Sequence, residues 1–98
     1  MIRHTVAFTL KHPKDSAEEK SFLDATLILK NIPGVRNFER LTQTSKKNNY
    51  RFGLSMEFDD AQAFESYNVH PIHADFIQNY WIPFVTDFQE TDYENYDS

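Results

Sequence analysis

Tyr67-Asn68-Val69-His70-Pro71-Ile72-His73 sets a phenol and two imidazoles within seven residues and puts a proline where one long helix would otherwise run. Proline disfavours helical geometry in the residue before it and suits the first turn of a new helix. The stretch therefore reads as one helix ending and another beginning, with His70 capping the second. From Pro71 onward His73, Ile77, Tyr80 and Trp81 recur at helical spacing, with Phe76 close by, so His73 is expected on the inward, apolar face. Tyr67 shares a face with Ala63 and Phe64, which turns its ring to the interior and leaves its hydroxyl in need of a partner. Asp75 is expected to point outward.

On both sides of this helical pair the chain reads as strand. Upstream, Tyr50, Phe52, Leu54, Met56 and Phe58 alternate with Arg51, Gly53, Ser55 and Glu57, and Asp59 or Asp60 is placed to cap a helix from Ala61 to Tyr67. Downstream, Pro83 ends the second helical segment and 84–90 reads as a last strand. At the N-terminus Ile2, His4, Val6, Phe8 and Leu10 alternate with Arg3, Thr5, Ala7, Thr9 and Lys11, giving a strand with one strongly apolar face that includes His4. Lys11 to Asp15 is a polar loop in which His12 is expected to be solvated. Ser16 and Glu19 form a capping box, followed by the stripe Phe22, Ala25, Leu29 and Ile32, which reads as a helix of about four turns. Pro33 and Gly34 stop it. Residues 35–44 read as a strand, and the Lys46-Lys47-Asn48-Asn49 loop leads back to Tyr50.

The order is β-α-β-β-α-β in a single α+β domain over residues 1–98: a ferredoxin-like subunit with an antiparallel four-stranded sheet covered by helices on one side. The other sheet face carries Thr5, Ala7, Thr9, Gly53 and Ser55. These small side chains permit a second sheet to approach closely, so a homodimer through this face is expected. The acidic end, 91–98, reads as a frayed tail or as a segment lying across the partner subunit through Tyr93 and Tyr96.

Composition narrows the function classes. The formal charge of −5 argues against nucleic acid, and Lys46 and Lys47 read as a solvated turn rather than a phosphate-binding patch. No apolar run reaches membrane-spanning length. Met1 to Thr5 goes straight into strand-like sequence without the regions of a signal peptide, and with no cysteine in the chain a cytoplasmic protein is the expectation. His70 and His73 are three apart, but Pro71 between them and the lack of a nearby carboxylate on that face give no zinc site, and no metal is expected.

Taken in order, Ile2-Arg3-His4 opening the first strand, Ile32-Pro33-Gly34-Val35 after the first helix, and the His-Pro-x-His core of residues 67–73 resemble the stress-responsive dimeric α/β-barrel, or Dabb, domain family. The resemblance implies two ferredoxin-like subunits joined sheet to sheet, each with a cavity between sheet and helices. Some plant members of that family are polyketide cyclases that work without cofactor through a His and a Tyr. By motif position these are His73 and Tyr67 here. His4, Val6, Phe8, Phe22, Leu54, Ile77 and Trp81 are then expected to line the pocket. Phe52 stands where the plant cyclases have a histidine, implying a less polar pocket, and Phe38-Glu39-Arg40-Leu41 lacks the glycine that many members carry after the acidic residue.

Histidine suits proton transfer near neutral pH, and a phenol can hydrogen-bond a carbonyl oxygen that gains charge. The chemical expectation is therefore a small carbonyl or aromatic ligand, with cyclase-like chemistry or that of a cofactor-free monooxygenase. The competing expectation is a non-enzymatic dimer, stress-related or structural, in which Tyr67 and His73 satisfy each other or the backbone and no ligand-sized pocket remains.

Overall fold

The computed structural model describes residues 1–97. Strand β1 (Ile2–Leu10) leads into helix α1 (Ala17–Ala25), then come strands β2 (Arg36–Thr42) and β3 (Phe52–Phe58), helices α2 (Ala61–Asn68) and α3 (Pro71–Phe76), and strand β4 (Val85–Glu94). The strands form one antiparallel sheet in the order β2-β3-β1-β4, as the ferredoxin-like reading requires. Alternation sends His4, Val6, Phe8 and Leu10 of β1 and Phe52, Leu54, Met56 and Phe58 of β3 into the layer beneath the helices, where all are buried. Phe8, Phe22 and Phe58 have no solvent exposure at all and form the centre of a ring-built core. The opposite sheet face, with Thr5, Ala7, Thr9 and Gly53 half-buried, has no helix over it among the described residues.

Capping follows the sequence closely. The Ser16 hydroxyl accepts from the Glu19 N–H at 3.1 Å, and Asp60, not Asp59, caps α2 through the Ala63 N–H at 2.8 Å. The first helix departs from the expected four turns: after Ala25 it tightens to a 3₁₀ segment over Thr26–Asn31. The buried Thr26 hydroxyl bonds back to the Leu23 carbonyl at 2.6 Å, competing with the regular helical ladder at the point of change. Strand β2 is shorter than expected and carries an irregularity between Arg36 and Glu39, where Asn37 adopts φ 51° and its side chain reaches Glu57 at 2.6 Å.

Three further expectations are corrected. Strand β4 runs on to Glu94, in register with Ile2, so residues 91–94 are sheet rather than tail. β1 offers an edge along its whole length, and pairing it satisfies backbone groups that apolar periodicity does not reveal. His12 is half-buried rather than solvated: its ring lies 5.1 Å from that of Phe84, and its Nδ1 is buried without a hydrogen-bond partner. Pro83 lies inside the last helical turn, Ile82–Phe84, and the turn ends one residue later than the proline suggested. Among the described residues no helix is long and apolar enough to cross a membrane.

Candidate functional site

The His-Pro junction builds one wall of the site. His70 has extended backbone geometry, and its Nδ1 accepts from the Ile72 N–H at 3.1 Å, so it caps α3 as expected. Pro71 occupies the first turn of α3 and redirects the chain so that His73 comes back over the end of α2. The rings of Tyr67 and His73 lie 4.6 Å apart at 57°. Beyond Phe76 the helix widens into a π turn over Ile77–Trp81, a local loosening often found beside functional sites.

Sheet and helices leave a cavity of about 300 Å³ between them. Val6, Leu54 and Met56 form its floor, Leu29, Phe76, Ile77 and Trp81 its roof, and His4, Tyr67 and His73 its polar end. Phe88 and Glu90 of β4, both exposed, stand at its mouth. Of the residues expected to line the pocket, Phe8 and Phe22 do not: they lie fully buried in the ring cluster behind it, Phe8 touching Trp81 at 5.3 Å. The others are all brought together. Sequence reading missed Leu29, Met56, Phe76, Phe88 and Glu90. Phe88 and Glu90 are two apart on the strand already read over 84–90, and Asp92 joins their face once the strand is carried through to residue 94.

Asp92 completes the polar end by its partnership with His4. Its carboxylate meets His4 Nδ1 at 2.6 Å across the β1–β4 pair, with His4 itself only 6% exposed. A carboxylate only accepts, so the hydrogen is assigned to Nδ1, and the tautomer and orientation of the ring are thereby fixed.

The two motif residues have their proton affinities moved in opposite directions. Burial raises the Tyr67 phenol well above its ordinary 10.0, and the Glu90 charge adds to the effect, so the group is a protonated donor throughout the neutral range. Burial also lowers His73 below the ordinary imidazole value of 6.5; hydrogen bonding to the Asn68 backbone acts the other way, and His4 reinforces the lowering. At neutral pH His73 is thus an uncharged base. Among the described residues no hydrogen-bond partner engages the Tyr67 hydroxyl, which leaves it available to the cavity.

The His73 shift has a measurable consequence. As pH falls through 6.5 an unfolded chain takes up a proton at this ring while the folded chain still keeps it neutral. Its contribution to stability is therefore complete above that pH and declines below it. Titration of the His73 ring by NMR should show a midpoint under 6.5; a midpoint at or above that value would contradict the burial seen here.

A larger but shallower groove of about 700 Å³ lies on the outer surface between the 3₁₀ segment and α3, where Ile28, Ile72 and Tyr80 meet Asp24 and Asp75. Its titratable side chains are Asp24, Lys30, Asp75 and Tyr80, with no histidine among the described lining residues. The smaller cavity, apolar with a few convergent polar groups, is the better candidate site. Among the described residues no group of three or more His, Asp or Glu side chains is placed to hold a metal ion.

Comparison with known proteins agrees with this architecture. The chain matches the model of the stress responsive A/B barrel domain, Dabb, over residues 2–95. A solved Dabb family protein of Mesorhizobium loti with a ferredoxin-like fold is 54% identical, superposes with a TM-score of 0.93, and is covered over 95% of its length by 96% of this chain. At 21% and 16% identity, likeness shows the fold alone: a ferredoxin-like protein of Thermobifida fusca (TM-score 0.79, 96% of this chain on 90% of that one) and a hydroxynitrile lyase of Passiflora edulis (TM-score 0.82, 97% on 94%). Set against the curated proteins, the chain finds no match. With nearly its whole length matched and a close structural relative within the same family, the chain is a member of the stress responsive A/B barrel domain family.

Proposed function

We propose that the cavity binds a small carbonyl or aromatic compound and promotes cofactor-independent enolisation, the first step of a cyclase-like reaction. The observation that carries this reading is the meeting of a neutral imidazole and a protonated phenol, 4.6 Å apart ring to ring, at one end of an apolar cavity of about 300 Å³. In the proposed step His73 takes a proton from the carbon next to the carbonyl. A carbon–carbon double bond forms and negative charge moves to the oxygen, where the Tyr67 O–H donates to it. The proton then returns from His73 to the carbon, or the enolate carbon attacks a second carbonyl of the same molecule, closing a ring as that C=O π bond breaks and its oxygen takes the proton from His73. His4, held by Asp92, is a positioning group on the same wall. The cavity lies at the lower end of the usual ligand-site range and counts against a filled, purely structural interior.

The test uses acetophenone in D₂O. The protein should speed exchange of the methyl protons for deuterium above the buffer rate, and His73→Ala should remove that acceleration. Exchange that persists undiminished in His73→Ala would rule out this role.

The same reading includes a homodimer formed through the open sheet face. The Thermobifida fusca neighbour is described as dimeric, and here Thr5, Ala7 and Gly53 leave the sheet surface low enough for a second sheet to pack on it. Sedimentation at micromolar concentration should give twice the 11.6 kDa of the chain. A monomer under those conditions would rule the dimer out.

A further inference from the structure

Glu90 gives the cavity a feature that the Tyr67/His73 pair does not explain. It lies opposite Val6 on β4 and is the one side chain bearing a formal charge in the described lining of the cavity. Among the described residues neither lysine nor arginine lines it. Among the described residues no ion pair or hydrogen bond engages the Glu90 carboxylate, although the other carboxylate of this part of β4, Asp92, is taken by His4. Beside Glu90 the rings of Phe88 and Trp81 meet edge to face at 5.4 Å, and both line the same cavity.

An unpartnered carboxylate next to two aromatic rings is an arrangement that favours a cation: the carboxylate supplies charge, and the faces of aromatic rings carry a negative quadrupole. The net charge of −5 gives the whole surface the same preference. A ligand carboxylate brought to this mouth would meet repulsion and no compensating base.

We propose that Glu90 selects the ligand class of the cavity, favouring compounds that join an apolar, ring-bearing body to a protonated amine at the mouth and disfavouring carboxylates of the same size. The apolar body lies between floor and roof while the ammonium stays at the half-solvated entrance beside Glu90. This selection rests on the reading that the cavity binds a small molecule, and the experiment separates the two.

Three probes of similar size are titrated against the intact protein, with the fluorescence of Trp81, the single tryptophan of the chain, as the signal. They are 4-phenylbutan-2-amine, the neutral 4-phenylbutan-2-one, and 3-phenylpropanoate. The amine should bind about tenfold more tightly than the ketone, the combined effect of an exposed ion pair and a cation–π contact, and the carboxylate more weakly than either. In Glu90→Gln the amine should fall to within about twofold of the ketone, with ketone affinity changing far less than amine affinity, because the charge alone is removed from an exposed strand position. A carboxylate that binds as tightly as the amine would overturn the proposal. So would an amine preference that survives Glu90→Gln. Ketone binding without charge discrimination overturns the selection alone, whereas failure of all three probes to bind overturns both the selection and the ligand-binding reading beneath it.

Discussion

His73→Ala is expected to lower the protein-catalysed exchange of acetophenone methyl protons by roughly 10²- to 10⁴-fold, the usual contribution of a positioned general base. The size of the effect follows from two features of the ring. Burial lowers its proton affinity below that of an ordinary imidazole, so at pH 7 the neutral base is the main form. The Pro71 turn and the contact with Tyr67 hold it at the polar end of the cavity, so no search for the reactive geometry is needed. Tyr67→Phe should produce a smaller but still large loss, since one hydrogen-bond donor to a developing oxyanion is worth roughly 10²- to 10³-fold. The two variants distinguish catalysis from architecture. Both leave the ring cluster of Phe8, Phe22 and Phe58 intact, so their unfolding midpoints should stay far closer to wild type than their exchange rates.

The second large effect is on stability. Phe22→Ala should cost roughly 3–5 kcal/mol, as expected when a phenyl ring is removed from a packed interior that relaxes only in part. Phe22 has no solvent exposure, and its ring lies 5.5 Å from that of Phe8, 5.8 Å from Phe76, 6.1 Å from Trp81 and 5.7 Å from Phe84. One side chain on α1 therefore ties the sheet to α3 and to the helical turns that follow. For a domain of this length the loss corresponds to a fall in Tm of roughly ten degrees or more. Urea unfolding measures it directly, and a loss below about 1 kcal/mol would mean that the cluster can close over the gap. Because Trp81 spans the cluster and the cavity roof, the same variant should also loosen the site.

These two sites were unequally legible in the sequence. Alternation over Ile2–Leu10 and Phe52–Phe58 is strict because one face of each strand is buried and the other is not, and both strands read correctly. Tyr67 and His73 were also legible, since a proline between two helices fixes which face each residue shares. Phe8 and Phe22 illustrate the limit of that logic: periodicity tells inside from outside but not which inside residues border a space. Both point inward, yet they fill the interior behind the cavity.

The rest of the site was hidden for a different reason. Over Thr91 to Glu94 the strand has no apolar face to betray it, because its inward position is Asp92, whose partner His4 is 88 residues away in sequence. A polar pair satisfied across a sheet looks like solvated tail until the register is known. Glu90 lay inside the strand as read, but a charged residue at that position gives no sign that it borders a cavity. The 3₁₀ turn after Ala25 depends on a hydroxyl-to-carbonyl bond from Thr26, which the apolar stripe of the helix gives no means of anticipating.

Binding of a ligand in the cavity underlies both the proton transfer and the charge selection, and NMR of the protein with 4-phenylbutan-2-one tests it most directly. Bound ketone should give intermolecular NOEs to the methyl groups of Leu54 and Ile77, and the ring resonances of His73 should shift on titration, since all three residues line the same space. Saturable shifts at His73 with those NOEs are the predicted result. NOEs confined to Ile28 and Ile72 of the outer groove, with His73 unmoved, would place the ligand elsewhere and rule out the cavity as its binding site.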